Sequence, residues 1–324
     1  MHGSLPYYIS PRMLLSVYAI VPVLLCLVVV DIFFFGAVLK KTFTIDTTTA
    51  ALYVLFLEVP HIIGSFIGYA ERAYLVHYKR KLFVHIPILC LLVTLLAEVH
   101  FPLVFVTYLV YTMYHALKQQ TGIAKLLLGN TGLTTLHTVW SVLGISAGAV
   151  GSLLVYKPYI MDVVAEMVTI ELLTGISILF VFVSVCYAVL TRNRGMGWVY
   201  LLATIFMMVG MYSLLLLGYV FFAIFIIRFV HDVTAFIFYA VHDANRNAHT
   251  VQNTIYKIAC QCNVPLIIIT PLLALLIAFG VRSYASVFSS GAYLVMLIGF
   301  VHYYIEGFMW KRGSLHRAQL RFIP

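Results

Sequence analysis

The feature that most constrains this chain is a succession of near-continuous apolar runs, each long enough to cross a bilayer and separated by segments of loop size. Leu14–Phe35, Val163–Leu190 and Val264–Gly280 are examples. A hydrocarbon core about 30 Å thick takes about 20 apolar residues of helix. In lipid every backbone polar group must be satisfied internally, so only helices and closed barrels span it. Barrel strands alternate apolar and polar residues with period two, and these runs do not. An all-α fold is expected: a polytopic transmembrane helical bundle. Composition closes the soluble option, since 63% of residues are hydrophobic and only 10% charged, with a mean hydropathy of +1.03. Soluble domains carry about 25% charged residues. The longest polar stretches, Glu71–Lys81 and Asn245–Asn263, are loop-sized, so residues 1–324 read as a single integral membrane domain.

Apolar runs bounded by charges or turn residues place about ten spans: 13–39, 48–70, 82–98, 101–119, 134–156, 163–190, 196–216, 218–243, 264–281 and 288–310. The third and fourth meet around His100-Phe-Pro102, the seventh and eighth around Gly218, so nine to eleven spans stay open. The first run, 27 residues without a small-residue cleavage site, is too long for a signal peptide and reads as the first span. Short cytoplasmic loops carry the excess of Lys and Arg. With a cytoplasmic N-terminus, 15 of the 20 basic residues fall on that side, while Lys40, Lys41, Lys157 and Arg282 fall opposite and Arg228 lies within the eighth span. Both termini are expected in the cytoplasm, in an inner (cell) membrane. The net charge of +9 is then a set of topology determinants and lipid anchors, and nucleic acid is not an expected partner.

Five cysteines without a framework argue against disulfides. Gly64-x-x-x-Gly68 and Gly144-x-x-x-Gly148 read as close helix packing. No internal repeat of the transporter kind is visible.

Ionisable residues inside spans cost about 2.5–3.5 kcal/mol or more each, face the bundle interior and are functional candidates. Glu58 and His61 stand three apart on one face. His115 and Gln119 stand four apart, as do His302 and Glu306. His231 and His242 stand eleven apart, each followed by an aspartate, Asp232 and Asp243. With a rise of about 1.5 Å per residue, Glu58, His61, His231 and His302 fall roughly 12–18 Å from the cytoplasmic ends, and His115, His242, Asp243 and Glu306 within about 6 Å. Four helices thus bring imidazoles and carboxylates toward one half of the bundle, as carboxylate-bridged metal centres in helical bundles do. The expected metal set is Glu58, His61, His115, His231, His242, Asp243, His302 and Glu306, holding one ion or two. Asp232, Gln119, Tyr111, Tyr114, Tyr303 and Tyr304 are expected behind them. Each aspartate is a candidate to orient a ring, either its neighbour's or, because neighbours on a helix point about 100° apart, that of a different histidine. His77 and His85 read as interfacial, His137 as buried with a backbone partner, and His249 and His316 as solvated.

Mixed His/carboxylate shells suit iron and zinc best; non-haem iron, which with open positions activates O₂, is the expected metal, with zinc or haem as alternatives. A buried centre ringed by aromatics suits a lipophilic substrate, lipid or isoprenoid, that enters from the membrane, with an electron donor as partner. The expectation is an O₂-dependent oxidoreductase that oxidises, desaturates or cleaves that substrate. The compact H-x-x-x-H and H-x-x-H-H boxes of membrane desaturases are absent. Single histidines scattered over the spans of a small basic multi-pass chain resemble the bacterial Brp/Blh-like carotene dioxygenases; the likeness is one of architecture. It implies a non-haem iron oxygenase using His61, His115, His231, His242 or His302. Other classes remain open. These are a proton- or ion-coupled transporter using Arg228, His231 and Asp232, a zinc hydrolase with Glu58 or Glu306 as base, and a bis-histidine haem protein. Lys118 and Arg246 are candidates for an anionic head group.

Overall fold

In the computed structural model, residues 6–43, 54–156, 160–287 and 291–323 are described. The expected span starts at 48–53 and 288–290, and Lys157, lie outside them. The described residues form helices and no strand, with one isolated parallel bridge between Ile9 and Phe322. In order they are α1 (Pro11–Val17), α2 (Ile20–Phe34), α3 (Val38–Thr42), a π-turn at Val54–Glu58, α4 (Val59–Ile67), α5 (Arg72–His77), and a further π-turn at Lys81–His85. There follow α6 (Ile86–Leu128), α7 (Thr134–Val155), α8 (Val163–Thr191), α9 (Met196–Leu216), α10 (Val220–Asn247), α11 (Thr254–Gln261), α12 (Leu266–Val287) and α13 (Gly291–Met309).

The chain is an all-helical, multi-pass membrane protein. Among the described residues, six stretches are long and apolar enough to cross a bilayer: Pro11–Phe34, Lys81–Leu128, Thr134–Val155, Val163–Thr191, Met196–Leu216 and Val220–Asn247. The pair Thr254–Gln261 and Leu266–Val281, bent by 105°, makes a seventh if it is one span; Leu55–Ile67 and Tyr293–Met309 are apolar but shorter. Along α8, Val164, Met167, Leu172, Ile178, Phe182 and Val189 are all exposed. An apolar surface of that extent would drive aggregation in water.

Local chemistry explains where the sequence runs break. The first helical stretch ends at Phe34, short of residue 39, because Gly36 and Ala37 both take φ of 61°. Buried Asp31 organises that turn: its carboxylate accepts from the Leu39 amide at 3.1 Å and from the Tyr219 hydroxyl at 2.7 Å. α6 runs 43 residues, about 65 Å, or roughly twice the hydrocarbon thickness. Inside it His100 leaves helical geometry (φ −154°, ψ 73°), two residues before Pro102, and its Nδ1 accepts from the Leu103 amide at 3.2 Å. His100 therefore behaves as the N-cap of a new helix. The polar stretch 245–263, expected as loop, contains α11, capped by Asn253.

Two compact units make up the fold: Met1–Ser10, Ala51–Val104 and Asp232–Pro324 in the first, Pro11–Ala50 and Phe105–His231 in the second. The first has two apolar clusters. One gathers Tyr69, Tyr74, Tyr78, Tyr239, Ile305 and Phe308; the other gathers Val59, Ile63, Ile67, Tyr256 and Ile269. Its chain ends are clasped together: Ile9 N–H donates to Arg321 O and Ile323 N–H to Ile9 O, while Asn245 holds the Tyr7 and Gln319 carbonyls. In the second unit α7 packs closely on its neighbours. A Cβ on Gly144 would sit 2.8 Å from Met208 Cε, and one on Gly148 2.3 Å from Leu117 Cδ1.

Candidate metal centre

In the first unit α4, α10 and α13 bring His61, Asp232 and His302 together, each at most 1% exposed. His61 Nδ1 lies 3.1 Å from Asp232 Oδ1, and His61 Nε2 lies 3.1 Å from His302 Nε2. His302 Nδ1 lies 3.0 Å from Ser65 Oγ, and the Ser65 hydroxyl donates at 2.7 Å to the Ile62 carbonyl. Proton accounting fixes the His302 ring. The Ser65 proton is committed to a carbonyl, which only accepts, so Ser65 Oγ accepts from His302 Nδ1–H. His302 therefore directs its Nε2 lone pair at His61 Nε2 across 3.1 Å. His61 Nδ1 stands at ion-pair distance from the Asp232 carboxylate without the alignment of a hydrogen bond, so either His61 tautomer fits. A proton on His61 Nε2 would make this a hydrogen bond between the rings, whereas a proton on His61 Nδ1 would leave two facing lone pairs that a cation would satisfy.

His302 and Glu306 share a face, and their ligand atoms lie within 4.8 Å of one another. Glu306 also accepts from the Tyr239 hydroxyl and, at 2.7 Å, from Trp310 Nε1–H. Tyr303 is buried edge-on to His302, at 5.4 Å between ring centres. Tyr304 points elsewhere, its hydroxyl 2.6 Å from His85 Nδ1. Glu58 is half-buried at the end of the π-turn and is not among the His and carboxylate groups that converge.

His242 and Asp243 form a separate cluster. Asp243 Oδ1 lies 2.7 Å from His242 Nδ1, so here the neighbouring histidine is the one oriented. The Tyr74 hydroxyl meets His242 Nε2 at 2.9 Å, and Thr270 donates to Asp243 Oδ2. Both ring nitrogens of His242 are thereby engaged. His316, expected in water, is fully buried and stacked on Tyr74 at 4.0 Å and on His242 at 4.8 Å. Its segment folds back because a flat ring fills the space over Gly68. Burial, reinforced by His242, His77 and Arg246, pushes its pKa down to about 2. Arg246 is not a free cation: it forms a two-pronged pair with buried Glu71.

In the second unit His115 and His231 stand edge to face at 4.9 Å. Gln119 Oε1 accepts from Gln120 Nε2–H at 3.0 Å, which identifies it as the carbonyl end, and it lies 2.9 Å from His231 Nδ1. His231 Nδ1 is therefore a donor and Nε2 carries the lone pair. Gln120 is itself fixed by the hydroxyls of Tyr18 and Tyr200. Tyr114 is 42% exposed and stacks with Tyr111, so neither the position nor the partner expected of it is found. Lys118 is exposed. His137 Nδ1 meets the Tyr187 hydroxyl at 3.1 Å rather than a backbone group.

The chain matches no family model, no curated protein and no solved structure. Its chemistry is therefore read from geometry alone. His302 and His231 each have Nδ1 against an oxygen acceptor and Nε2 carrying the lone pair, and His61 has Nδ1 3.1 Å from a carboxylate oxygen. Metal-ligating histidines are prepared this way. Ser65 and Tyr74 drew no attention in the sequence. Ser65 stands four residues after His61, a spacing that places it on the same face. Tyr74 has no such signal and resembles any other interfacial tyrosine.

Proposed function

We propose that this protein is an integral membrane metalloenzyme whose first unit binds a metal ion through Nε2 of His61 and His302. Asp232 and Ser65 orient the two rings, and Glu306 stands ready as an oxygen ligand. The observation that carries this is the pair of buried Nε2 atoms facing each other at 3.1 Å. Two ligands about 2.0–2.1 Å from one ion, at cis angles of about 90–110°, stand roughly 2.9–3.4 Å apart. Two axial haem ligands would stand about 4 Å apart on opposite faces of a porphyrin, which argues against haem between these rings. The His/carboxylate donor set suits iron and zinc alike; iron with open positions would supply O₂ activation when bound, and that is the metal proposed. A hydrocarbon-like substrate follows from the membrane setting. Oxygenation, desaturation or cleavage, with an external electron donor, is the reaction class, in line with the architectural resemblance to Brp/Blh-like dioxygenases.

The chain's own residues do the positioning. Asp232 keeps His61 in the Nδ1–H tautomer, Ser65 does the same for His302, and the Tyr239 and Trp310 donors hold the Glu306 carboxylate. Clasped chain ends support termini on one side of the membrane and hence an even number of crossings. Ten crossings satisfy this if the break at His100 separates two spans, the bent α11–α12 pair counts once and the two shorter helices cross. The basic residues favour a cytoplasmic location for both ends, in a cell membrane.

The same facing nitrogens favour one other reading, a shared proton in a proton-coupled transporter, because a proton also fits between them. Elemental analysis after purification without added metal separates the two. We expect a stoichiometric transition metal, reduced at least severalfold in His61→Ala and His302→Ala and unchanged in His249→Ala. A metal-free wild-type protein with pH-dependent flux would refute the enzyme.

A further inference from the structure

Away from the His61–His302 pair, the first unit holds a directed chain of hydrogen bonds that the metal reading does not use. Tyr74 lies on α5, outside the apolar spans, yet is only 2% exposed. Its hydroxyl is 2.9 Å from His242 Nε2, and His242 Nδ1 is 2.7 Å from Asp243 Oδ1. Asp243 also accepts from the Thr270 hydroxyl, which Tyr256 approaches at 2.8 Å. A carboxylate that takes His242 Nδ1–H leaves His242 Nε2 as an acceptor, so the Tyr74 proton points at a base. Burial holds the phenol above the ordinary tyrosine range, so Tyr74 rests as the neutral phenol.

Tyrosine and tryptophan are the side chains most readily oxidised by one electron. A phenol that loses an electron becomes a strong acid, and the loss is far easier where a base is hydrogen-bonded to it. Tyr74 also sits at one end of an aromatic ladder. It stacks on His316 at 4.0 Å; His316 meets Trp310 at 6.2 Å; Trp310 stacks on Tyr239 at 5.9 Å. Tyr239 and Trp310 both donate to Glu306, the residue that faces His302.

We infer that Tyr74 is a redox-active tyrosine, with His242 as its proton acceptor and Asp243 as the positioning residue that holds His242. In the step, Tyr74 gives one electron to a one-electron oxidant. The phenolic O–H bond breaks, an Nε2–H bond forms on His242, and the resulting imidazolium faces Asp243 through Nδ1–H. The products are a neutral tyrosyl radical and an oxidant reduced by one electron. In the cell that oxidant is the oxidised metal centre, reached through Trp310 and Tyr239. This destination rests on the metal reading, whereas the competence of Tyr74 does not.

Two arms of one experiment keep these apart. In the first, chelator-treated full-length protein in detergent is photo-oxidised with a ruthenium(II) polypyridyl and persulfate, and paramagnetic resonance is recorded on freezing. Wild type should give a long-lived tyrosyl signal that falls severalfold in Tyr74→Phe, which keeps the ring stack, and decays faster in His242→Phe. Tyr114→Phe, at an exposed site, should leave it unchanged. An undiminished, equally long-lived signal in Tyr74→Phe would overturn the assignment. In the other arm, iron-loaded protein is treated with hydrogen peroxide. The same signal should appear in wild type and weaken severalfold in Trp310→Leu. Its absence there, with the first arm intact, would overturn only the route to the metal.

Discussion

Removal of one hydroxyl tests the proton accounting at the candidate centre. Ser65 Oγ is the acceptor for His302 Nδ1–H because its own proton goes to Ile62 O. Ser65→Ala leaves a buried ring N–H without its acceptor. An unsatisfied buried polar group costs about 1–3 kcal/mol. Outer partners of ligating histidines are worth about 10–100-fold in metal affinity, or about 1.4–2.8 kcal/mol. The two ranges coincide because both describe the loss of the same hydrogen bond. Chelator competition on the purified protein should therefore give a dissociation constant about 10–100-fold weaker for iron and for zinc. Ser152→Ala is the matched control: Ser152 is also buried and donates at 2.7 Å to Ala149 O, three residues back, with no histidine behind it. It should leave affinity unchanged. Wild-type affinity in Ser65→Ala would refute the lone pair on His302 Nε2, and with it the reason for placing an ion between His61 and His302.

Three further outcomes concern stability in detergent. His316 is neutral when folded, with a pKa pushed down to about 2 against an ordinary 6.5. Above pH 6.5 neither state binds its proton; below it the unfolded chain does and the folded one does not. Stability should thus fall with pH, approaching about 1.4 kcal/mol per unit well below about 6.5. Melting curves from about pH 7 to 5 should show a shallower fall in His316→Phe. Gly197→Ala places a Cβ 2.5 Å from the Leu127 carbonyl oxygen, and should cost more than about 3 kcal/mol. Gly175→Ala meets nothing within 4 Å and should gain about 0.5–1 kcal/mol. Arg246→Ala strands the buried Glu71 carboxylate and should cost about 3 kcal/mol, the low end for a broken buried pair because the Arg246 side chain is 30% exposed. Glu71→Gln in the same chain should recover most of it.

The helical, membrane-spanning class was legible because it depends only on run length and the absence of period-two alternation. Helix ends were less so. Asp31 lies inside the first apolar run and gathers the turn that ends α2, with a partner, Tyr219, that lies far off in sequence. The break in α6 was signalled by Pro102, whereas the cap came from His100, two residues earlier. Proline marks a boundary within a turn without saying which neighbouring side chain completes it.

At the site, spacing along one helix predicted what shares a face, as His302 and Glu306 do, but not which nitrogen presents its lone pair. His61 and His242 are alike in the sequence, each an intraspan histidine with a carboxylate nearby. In the fold each has Nδ1 on an aspartate. What separates them is the group at Nε2: another imidazole Nε2 for His61, the Tyr74 hydroxyl for His242. A donor at that position engages the lone pair and suits proton transfer; a second lone pair there calls for a cation. Tyr74 and Ser65 decide this, and neither lies in a motif, because their roles arise from contacts that the linear spacing of charged residues does not reveal. The ligand chemistry of a histidine is therefore set by the partners of both its nitrogens, and exchanging those partners should exchange the roles. Tyr74→Phe releases His242 Nε2, and at high metal concentration it should create an additional weak binding event that His242→Ala abolishes. Titration curves for the single and double variants that each show one event would mean that Asp243 orientation and an open Nε2 are not enough to make a ligand here.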